Sequence, residues 1–466
     1  MLFSTPLFLF IFLPFSLALY LAAPHALRNT VLLAECLAFY AWGEPLFIFV
    51  LLVSSVADYA LGERVGRAGP GAGGWLALGV GMNLGLLITY KYLDFALAQL
   101  EPVLGPVLGP LPRVNLVLPL ALSFVVFEKI TYLVDIRRGV SRPAASFPDY
   151  MLFVMLFPKL LAGPIVKFHE VERSLRDRPV RLDDVSSGLQ RFLWGLSRKV
   201  LLADPCGEVA NAVFDLPAGQ VGFRLAWLGV AAFTAQIYHD FAGYSDMAIG
   251  IARAFGFQLR ENFNHPYGSG SFTEFWRRWH ISLSTWIRDY LYFPLGGNRG
   301  EPWRTYANLC ICFLLSGLWH GANWTYVAWG AWNGLFLVAD RLFWTRLSTR
   351  IPRILAVGVT LALVMFGWAL FRAPDIGYAT ALWRHLLSPG AKGGFVFFQP
   401  HLLPTVAVAL ASSLLAATGI LRQAAAWMEQ SEPGRLVISV AVAGLAIVAI
   451  TKAVTVTFAP FLYFRF

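Results

Sequence analysis

Long apolar blocks joined by short polar loops set the texture of this chain. The clearest runs are Thr5–Ala23, Trp75–Tyr90, Val114–Phe127, Ile354–Phe371, Leu402–Ile420 and Leu436–Ile450. Several reach or approach the roughly 20 residues that a helix needs to cross a hydrocarbon core of about 30 Å. Val31–Trp42 and Leu46–Val56 are shorter and read as helices packed inside a bundle. Together they predict an all-α, polytopic transmembrane helix bundle of about 10–12 spans, with interfacial and re-entrant helices besides. The first run has no basic residue before it and many spans after it, so it reads as a permanent helix.

Two segments carry a different pattern. In Glu170–Asp204, Leu189, Phe192, Leu193, Leu196, Val200 and Leu201 recur at helical spacing, with Arg191, Arg198 and Lys199 on the polar side. Such a helix suits the cytoplasmic interface. Phe275–Tyr292 mixes Trp276, Trp279, Trp286 and Tyr290 with Arg277, Arg278 and Arg288, a combination at home in the headgroup zone. Both lie in a middle stretch, about Asp149 to Asp340, that holds polar residues in or beside apolar helices. No internal repeat appears, and residues 1–466 read as a single integral-membrane domain.

Composition strengthens the membrane reading. The chain is 57% hydrophobic and 14% charged, with a mean hydropathy of +0.60, where soluble chains carry about a quarter charged residues. The formal charge of +10 needs no nucleic acid to explain it. Basic residues fall in loops between spans: Arg64 and Arg67; Arg137, Arg138 and Arg142; Arg341 to Arg353; Arg422 and Arg435. That is the bias of cytoplasmic loops facing membrane lipid, and it puts the N-terminus outside if Val31–Gly62 is a two-helix hairpin. Cys36, Cys206, Cys310 and Cys312 fit neither a disulfide framework nor a zinc pattern and read as packing residues. No metal site is expected, and no GxGxxG, P-loop or HExxH stands in a convincing context.

Ionisable groups inside a membrane bundle are functional candidates by default. His320 is the sharpest, in Leu314-Leu315-Ser316-Gly317-Leu318-Trp319-His320-Gly321-Ala322-Asn323-Trp324. On a continuous helix Ser316 and Asn323 would share its face and orient the imidazole. The flanking glycines would let a substrate approach the backbone. A histidine that merely ties two helices together is the plain alternative. His280 follows, sharing a predicted helical face with Trp276 and Ser284, while Arg277 and Arg278 would attract phosphates of coenzyme A or of lipid. In the third cluster, Asp240, Tyr244 and Asp246 lie on a mostly apolar helix that is expected to break at Pro266; structural ion pairs explain the aspartates as well as catalysis does. With no nucleophile elbow and no activated cysteine, the remaining chemistry is a histidine base acting on a hydroxyl that attacks an activated acyl group.

Several segments in order carry a resemblance: Phe157-Pro158-Lys159-Leu160-Leu161-Ala162-Gly163-Pro164, Asp240–Gly250, Glu261-Asn262-Phe263-Asn264, Phe275–Ser284, Asp289-Tyr290-Leu291-Tyr292, Leu295–Gly300 and Gly317–Asn323. They resemble the membrane-bound O-acyltransferase (MBOAT) family, and within it the bacterial alginate O-acetyltransferase (AlgI-like) branch. The likeness runs from Leu2 to about Phe371. It implies a helical bundle with a tunnel to a deep histidine, the near-invariant histidine falling on His320 and the second on His280. It further implies acetyl taken from a cytoplasmic donor, acetyl-CoA being a substrate with no bound cofactor. The acetyl would cross the bacterial inner membrane and pass, through a periplasmic acetyltransferase partner protein, to an exopolysaccharide acceptor. Ser316, Trp319, Asn323, Arg277, Arg278, Asp240, Tyr244, Asp246 and Asn262 are the candidate substrate-binding residues. Two departures leave the polymer open: Asn333 follows Trp329-Gly330-Ala331-Trp332 where a histidine is expected, and Lys159 also stands in place of one. Cellulose, peptidoglycan or another secreted glycan could be the acceptor, and D-alanine transfer to teichoic acid keeps the same mechanism. A transporter, with His320, Asp240 and Asp246 as a proton or substrate path, would call for inverted repeats. A scaffold would need no chemistry at all.

Overall fold

A computed structural model describes residues 1–67, 69–455 and 462; the side chain of Arg422, one of the loop arginines, lies outside the described set, as do residues 456–458, which the sequence reads as the end of the plain span that starts at Leu436. The described residues form helices and loops, with no strand among them. Among the described residues, three helical stretches are long and apolar enough to cross a membrane on their own: Ala72–Leu108, Arg353–Arg372 and Glu432–Thr455. Phe8–Ala22 and Leu402–Thr418 are apolar but shorter. Several helical stretches are interrupted by π-turns, as at Ile88–Tyr92 within Ala72–Leu108, Arg198–Ala203 and Asp340–Trp344.

The chain divides into two compact units, Met1–Phe192 with Met247–Arg260, and Leu193–Asp246 with Glu261–Phe466. In the first, the Leu122–Arg137 helix is buried on nearly every face. Its two adjacent charges point apart, and each meets an opposite charge. Glu128 accepts from Lys159 and from the Val166 amide. Lys129 lies 3.2 Å from Asp58 and donates to Ser54 Oγ at 2.6 Å, while Asn83 Nδ2 donates to Asp58 at 2.7 Å. Buried charges survive only when paired and hydrogen-bonded, so Lys159 has a structural partner here. The apolar run Val114–Phe127 is not one helix. Pro110, Pro112 and Pro119 remove donors and fix φ, the helix starts at Leu122, and the extended chain before it is bonded by side chains. Asp94 accepts from the Val114 amide at 2.8 Å and Glu101 from the Leu111 amide at 2.9 Å.

In the second unit the Pro302–His320 helix lies against Trp324–Ala339 with almost no side chain between the backbones. A Cβ on Gly317 would sit 2.2 Å from the Tyr326 carbonyl oxygen, and one on Gly330 2.3 Å from that of Phe313. Small residues at helix crossings in membranes allow this approach. The Arg353–Arg372 helix packs against Trp324–Ala339. The long Phe223–Ala254 helix contributes Phe223–Asp246 to this unit and Met247–Ala254 to the first. It ends well before Pro266, because Gly256 turns left-handed at φ +83° and the Phe257 amide bonds back to Ala252.

Candidate active site

The Pro302–His320 helix stops at the histidine itself. Gly321 is extended, and Asn323 caps the next helix by accepting from the Thr325 amide at 3.0 Å. Its amide nitrogen donates to the Pro374 carbonyl at 3.1 Å. Asn323 therefore leaves the face of His320, contrary to the spacing argument, which assumed unbroken helix. Ser316 does lie one turn before His320, but its buried hydroxyl makes no hydrogen bond among the described residues, so it does not hold the ring. Nor do the glycines open the backbone to substrate: a Cβ on Gly321 would meet the Tyr326 ring at 2.2 Å, as one on Gly317 would meet that residue's carbonyl. What surrounds His320, only 5% exposed, is aromatic. Ring centroids of Trp319, Trp329 and Phe371 lie 4.9, 5.1 and 5.3 Å away, all edge-on.

His280 is fully buried and stands between two short helices, Phe272–Arg278 and Ile281–Ile287, with φ +42° and ψ 55°. Trp276, His280 and Ser284 thus do not share one helical face. A non-glycine residue held left-handed costs on the order of 1–2 kcal/mol, and such strain gathers at functional sites. Asn262 supplies the restraint. Its Oδ1 accepts from the Ser282 amide at 3.2 Å and the Ser282 hydroxyl at 3.0 Å, and its Nδ2 donates to Ser245 Oγ at 3.2 Å. The backbone amide fixes which end of Asn262 is oxygen. His280 Nδ1, 3.2 Å from that oxygen, must then carry a proton, leaving the lone pair of the neutral ring on Nε2. Trp319 lies close to both histidines, 6.3 Å from His280 and 4.9 Å from His320 by centroid.

The charged candidates sort differently. Arg198 and Lys199 turn inward rather than to a polar surface: Arg198 meets Asp246 at 2.7 Å, and Lys199 meets Asp240 at 3.2 Å and also Asp204. Asp240 further accepts from the Leu462 amide at 2.7 Å, and Tyr244 is buried on the same helix. These aspartates are in ion pairs. Arg278 pairs with Glu274 at 2.7 Å. Arg277 instead lines a cavity of about 410 Å³ with Trp276, Ser284, Arg288, Tyr292 and Arg341, and it has no carboxylate partner among the described residues. Trp276 and Trp286 are buried rather than displayed at an interface.

Trp276 connects this cavity to the histidine. Its indole packs on Trp329 at 5.8 Å, and Trp329 in turn abuts His320. Asn333 braces the Trp276 ring, accepting from its Nε1 at 3.1 Å, and donates one turn back to the Trp329 backbone carbonyl at 2.8 Å. Spacing did not single out Trp329, Phe371, Arg341 or Tyr292. Asn333 alone had a signal, as a polar residue on an apolar helix.

Comparison with known proteins places this arrangement. The sequence model described as MBOAT, membrane-bound O-acyltransferase family, matches residues 121–368. The chain is 43% identical to the "probable alginate O-acetylase AlgI" of Azotobacter vinelandii, over 84% of this chain and 79% of that protein. It is 35% identical to the peptidoglycan O-acetyltransferase of Helicobacter pylori, over 81% and 78% respectively. With the teichoic acid D-alanyltransferase of Bacillus subtilis the identity is 26%, over 64% and 80%. The chain therefore belongs to the membrane-bound O-acyltransferase family, in its AlgI-like branch, and is a membrane acyltransferase.

Proposed function

We propose that this protein acetylates a secreted polysaccharide, alginate or a similar exopolysaccharide, from the bacterial inner membrane, with His320 as the catalytic base. The observation that carries the reading is the placement of His320: at a helix end, inside an aromatic box, with His280 across Trp319. The identity of 43% to an alginate O-acetylase against 35% to a peptidoglycan O-acetyltransferase favours the alginate-like acceptor.

The donor in this reading is acetyl-CoA from the cytoplasmic side. Arg277 and Arg341 give the 410 Å³ cavity two guanidiniums for phosphoryl groups, and its apolar wall suits the thioester arm. His320 takes the proton of an incoming hydroxyl as the oxygen bonds to the acetyl carbonyl carbon. The carbon–sulfur bond then breaks, and the coenzyme thiol leaves with a proton. A periplasmic partner protein receives the acetyl and delivers it to sugar hydroxyls.

The test measures ester on the secreted polymer. His320→Ala should lower transfer by about 10²–10⁴-fold, the usual contribution of a general base, with unchanged abundance in the membrane. His280→Ala should weaken it strongly. Full acetylation by the His320 variant would sink the mechanism. Deleting the protein and analysing which extracellular glycan loses ester groups identifies the acceptor.

A further inference from the structure

The first unit contains a buried arginine without a counter-charge. Arg178 is 5% exposed. Its Nε donates to Tyr20 Oη at 2.8 Å and to the Phe255 carbonyl at 3.2 Å. Its Nη1 donates to Asn29 Oδ1 at 2.6 Å and to the Ser174 carbonyl at 3.0 Å. Every acceptor is neutral. Nη2 has no hydrogen-bond partner, and no carboxylate lies within ion-pair distance among the described residues. Glu35, two turns along the Arg28–Gly43 helix from Arg28, is buried but does not reach it.

The contrast with the other buried cations is what gives this weight. Lys129, Lys159 and Lys199 each face a carboxylate. Taking an ion out of water costs several kcal/mol unless an opposite charge meets it. Arg178 meets none among the described residues, and it opens on a small pocket of about 130 Å³ lined also by His25, Arg28, Asn29 and Arg176. Arg28 has no ion pair among the described residues either; it donates weakly to the Ala23 carbonyl at 3.4 Å and lies over the Tyr20 ring. Arg176 pairs with Glu172 at 2.9 Å on the surface, and His25 faces Asp177 at 3.6 Å. The pocket also adjoins the N-terminus of the 16-residue Arg28–Gly43 helix, whose dipole favours an anion.

We propose that Arg178, Arg28 and Arg176 form a binding site for one anionic phosphate group, either free or carried by the headgroup of a lipid with net negative charge. The volume equals roughly four waters at about 30 Å³ each, room for a tetrahedral oxyanion but not for a nucleotide. Guanidiniums meet such oxygens two at a time. Arg28 opens a helix whose hairpin partner ends at Arg64 and Arg67, so the site lies at the end of this unit that the charge bias assigns to the cytoplasm.

The experiment uses the full chain in nanodiscs of phosphatidylcholine with or without phosphatidylglycerol. Thermal stability is followed against sodium phosphate, with sodium chloride at matched ionic strength as control. Native mass spectrometry counts retained anionic lipid. A saturable rise with phosphate in phosphatidylcholine discs identifies a free ion. One retained phosphatidylglycerol per chain, with stabilisation only in its discs, identifies a headgroup. Arg178 is held by four neutral contacts and its replacement would disturb the fold, so the variant is Arg28→Gln with Arg176→Gln. It should weaken either response by about tenfold, equivalent to about 1.4 kcal/mol. No response to either probe in the unmodified chain, or an equal response in the double variant, would overturn the proposal.

Discussion

Replacing Asn262 by leucine tests the account of His280 most directly. The amide makes four side-chain hydrogen bonds, and its oxygen serves three donors: the Ser282 amide, the Ser282 hydroxyl and His280 Nδ1. Leucine keeps the volume and removes the acceptor. The Ser282 hydroxyl can rotate away, but the Ser282 amide and the imidazole N–H remain buried. Each stranded donor costs about 1–3 kcal/mol, so the loss is roughly 2–6 kcal/mol. The left-handed backbone of His280 adds on the order of 1–2 kcal/mol that the network no longer offsets. Aspartate is the discriminating companion. Its carboxylate still accepts from all three donors, and the Ser245 hydroxyl can donate in place of accepting. The assay pairs thermal melting of purified protein with acetyl ester on the secreted polymer per folded molecule. Asn262→Leu should melt lower and lose at least about tenfold in transfer, a change of about 1.4 kcal/mol in barrier, while Asn262→Asp, which keeps the acceptor but brings a carboxylate into a buried site, should lose less transfer per folded molecule than the leucine variant. A leucine variant with unchanged melting and unchanged transfer would refute the tautomer argument. An aspartate variant as damaged as the leucine one would show that the acceptor oxygen is not what matters.

Three further outcomes follow from the geometry. Gly317→Ala puts a methyl group 2.2 Å from the Tyr326 carbonyl oxygen, and forcing two backbones apart should cost about 1–3 kcal/mol, read as a lower melting temperature with transfer reduced through displacement of His320. Lys199→Met should destabilise by about 3–5 kcal/mol, because it leaves the buried Asp240 and the half-buried Asp204 without their cation. Adding Asp240→Asn should restore part of that loss, and transfer per folded molecule should hold in both; a selective loss of transfer in Asp240→Asn would make the aspartate catalytic. The Glu274 carboxyl is pushed up by burial, but donation from Arg353 and the Gly270 amide, with Arg278 nearby, outweighs this and holds it below its usual value near 4.5. Its contribution is therefore complete above that pH and is lost as pH falls through the lower, folded value. Melting in acid should drop more steeply for the natural protein than for Glu274→Gln.

The membrane class and the burial of the two histidines were legible in the sequence because both signals are local. Apolar runs are read directly, and a histidine flanked by such runs is rare enough to stand out. Helix ends were harder. Ser316, His320 and Asn323 share a face only if the helix continues, and the stop at Gly321 depends on Tyr326 filling the space beside it from the next helix. The same holds at His280, whose left-handed backbone is imposed by Asn262, from a separate loop. The extended stretch before Leu122 did carry its own signal in three prolines, which hydropathy alone overrode.

Telling structural charge from catalytic chemistry needed the third dimension, for a definite reason. An aspartate in an apolar helix must meet a cation or a reaction, and sequence shows only the requirement. Here Asp240 and Asp246 meet Lys199 and Arg198 from the neighbouring π-turn, so the demand is met inside the fold. His320 and His280 are surrounded instead by aromatic rings and an amide. Rings exclude water, and an amide oxygen fixes the proton on one imidazole nitrogen. Paired charges hold the bundle together, whereas the imidazoles sit in neutral, water-poor surroundings, and that contrast is what favours the histidines in the proposed mechanism. Arg178, buried and with no carboxylate in ion-pair distance among the described residues, is then a demand still outstanding, which is why a ligand is expected there and not at Lys129, Lys159 or Lys199.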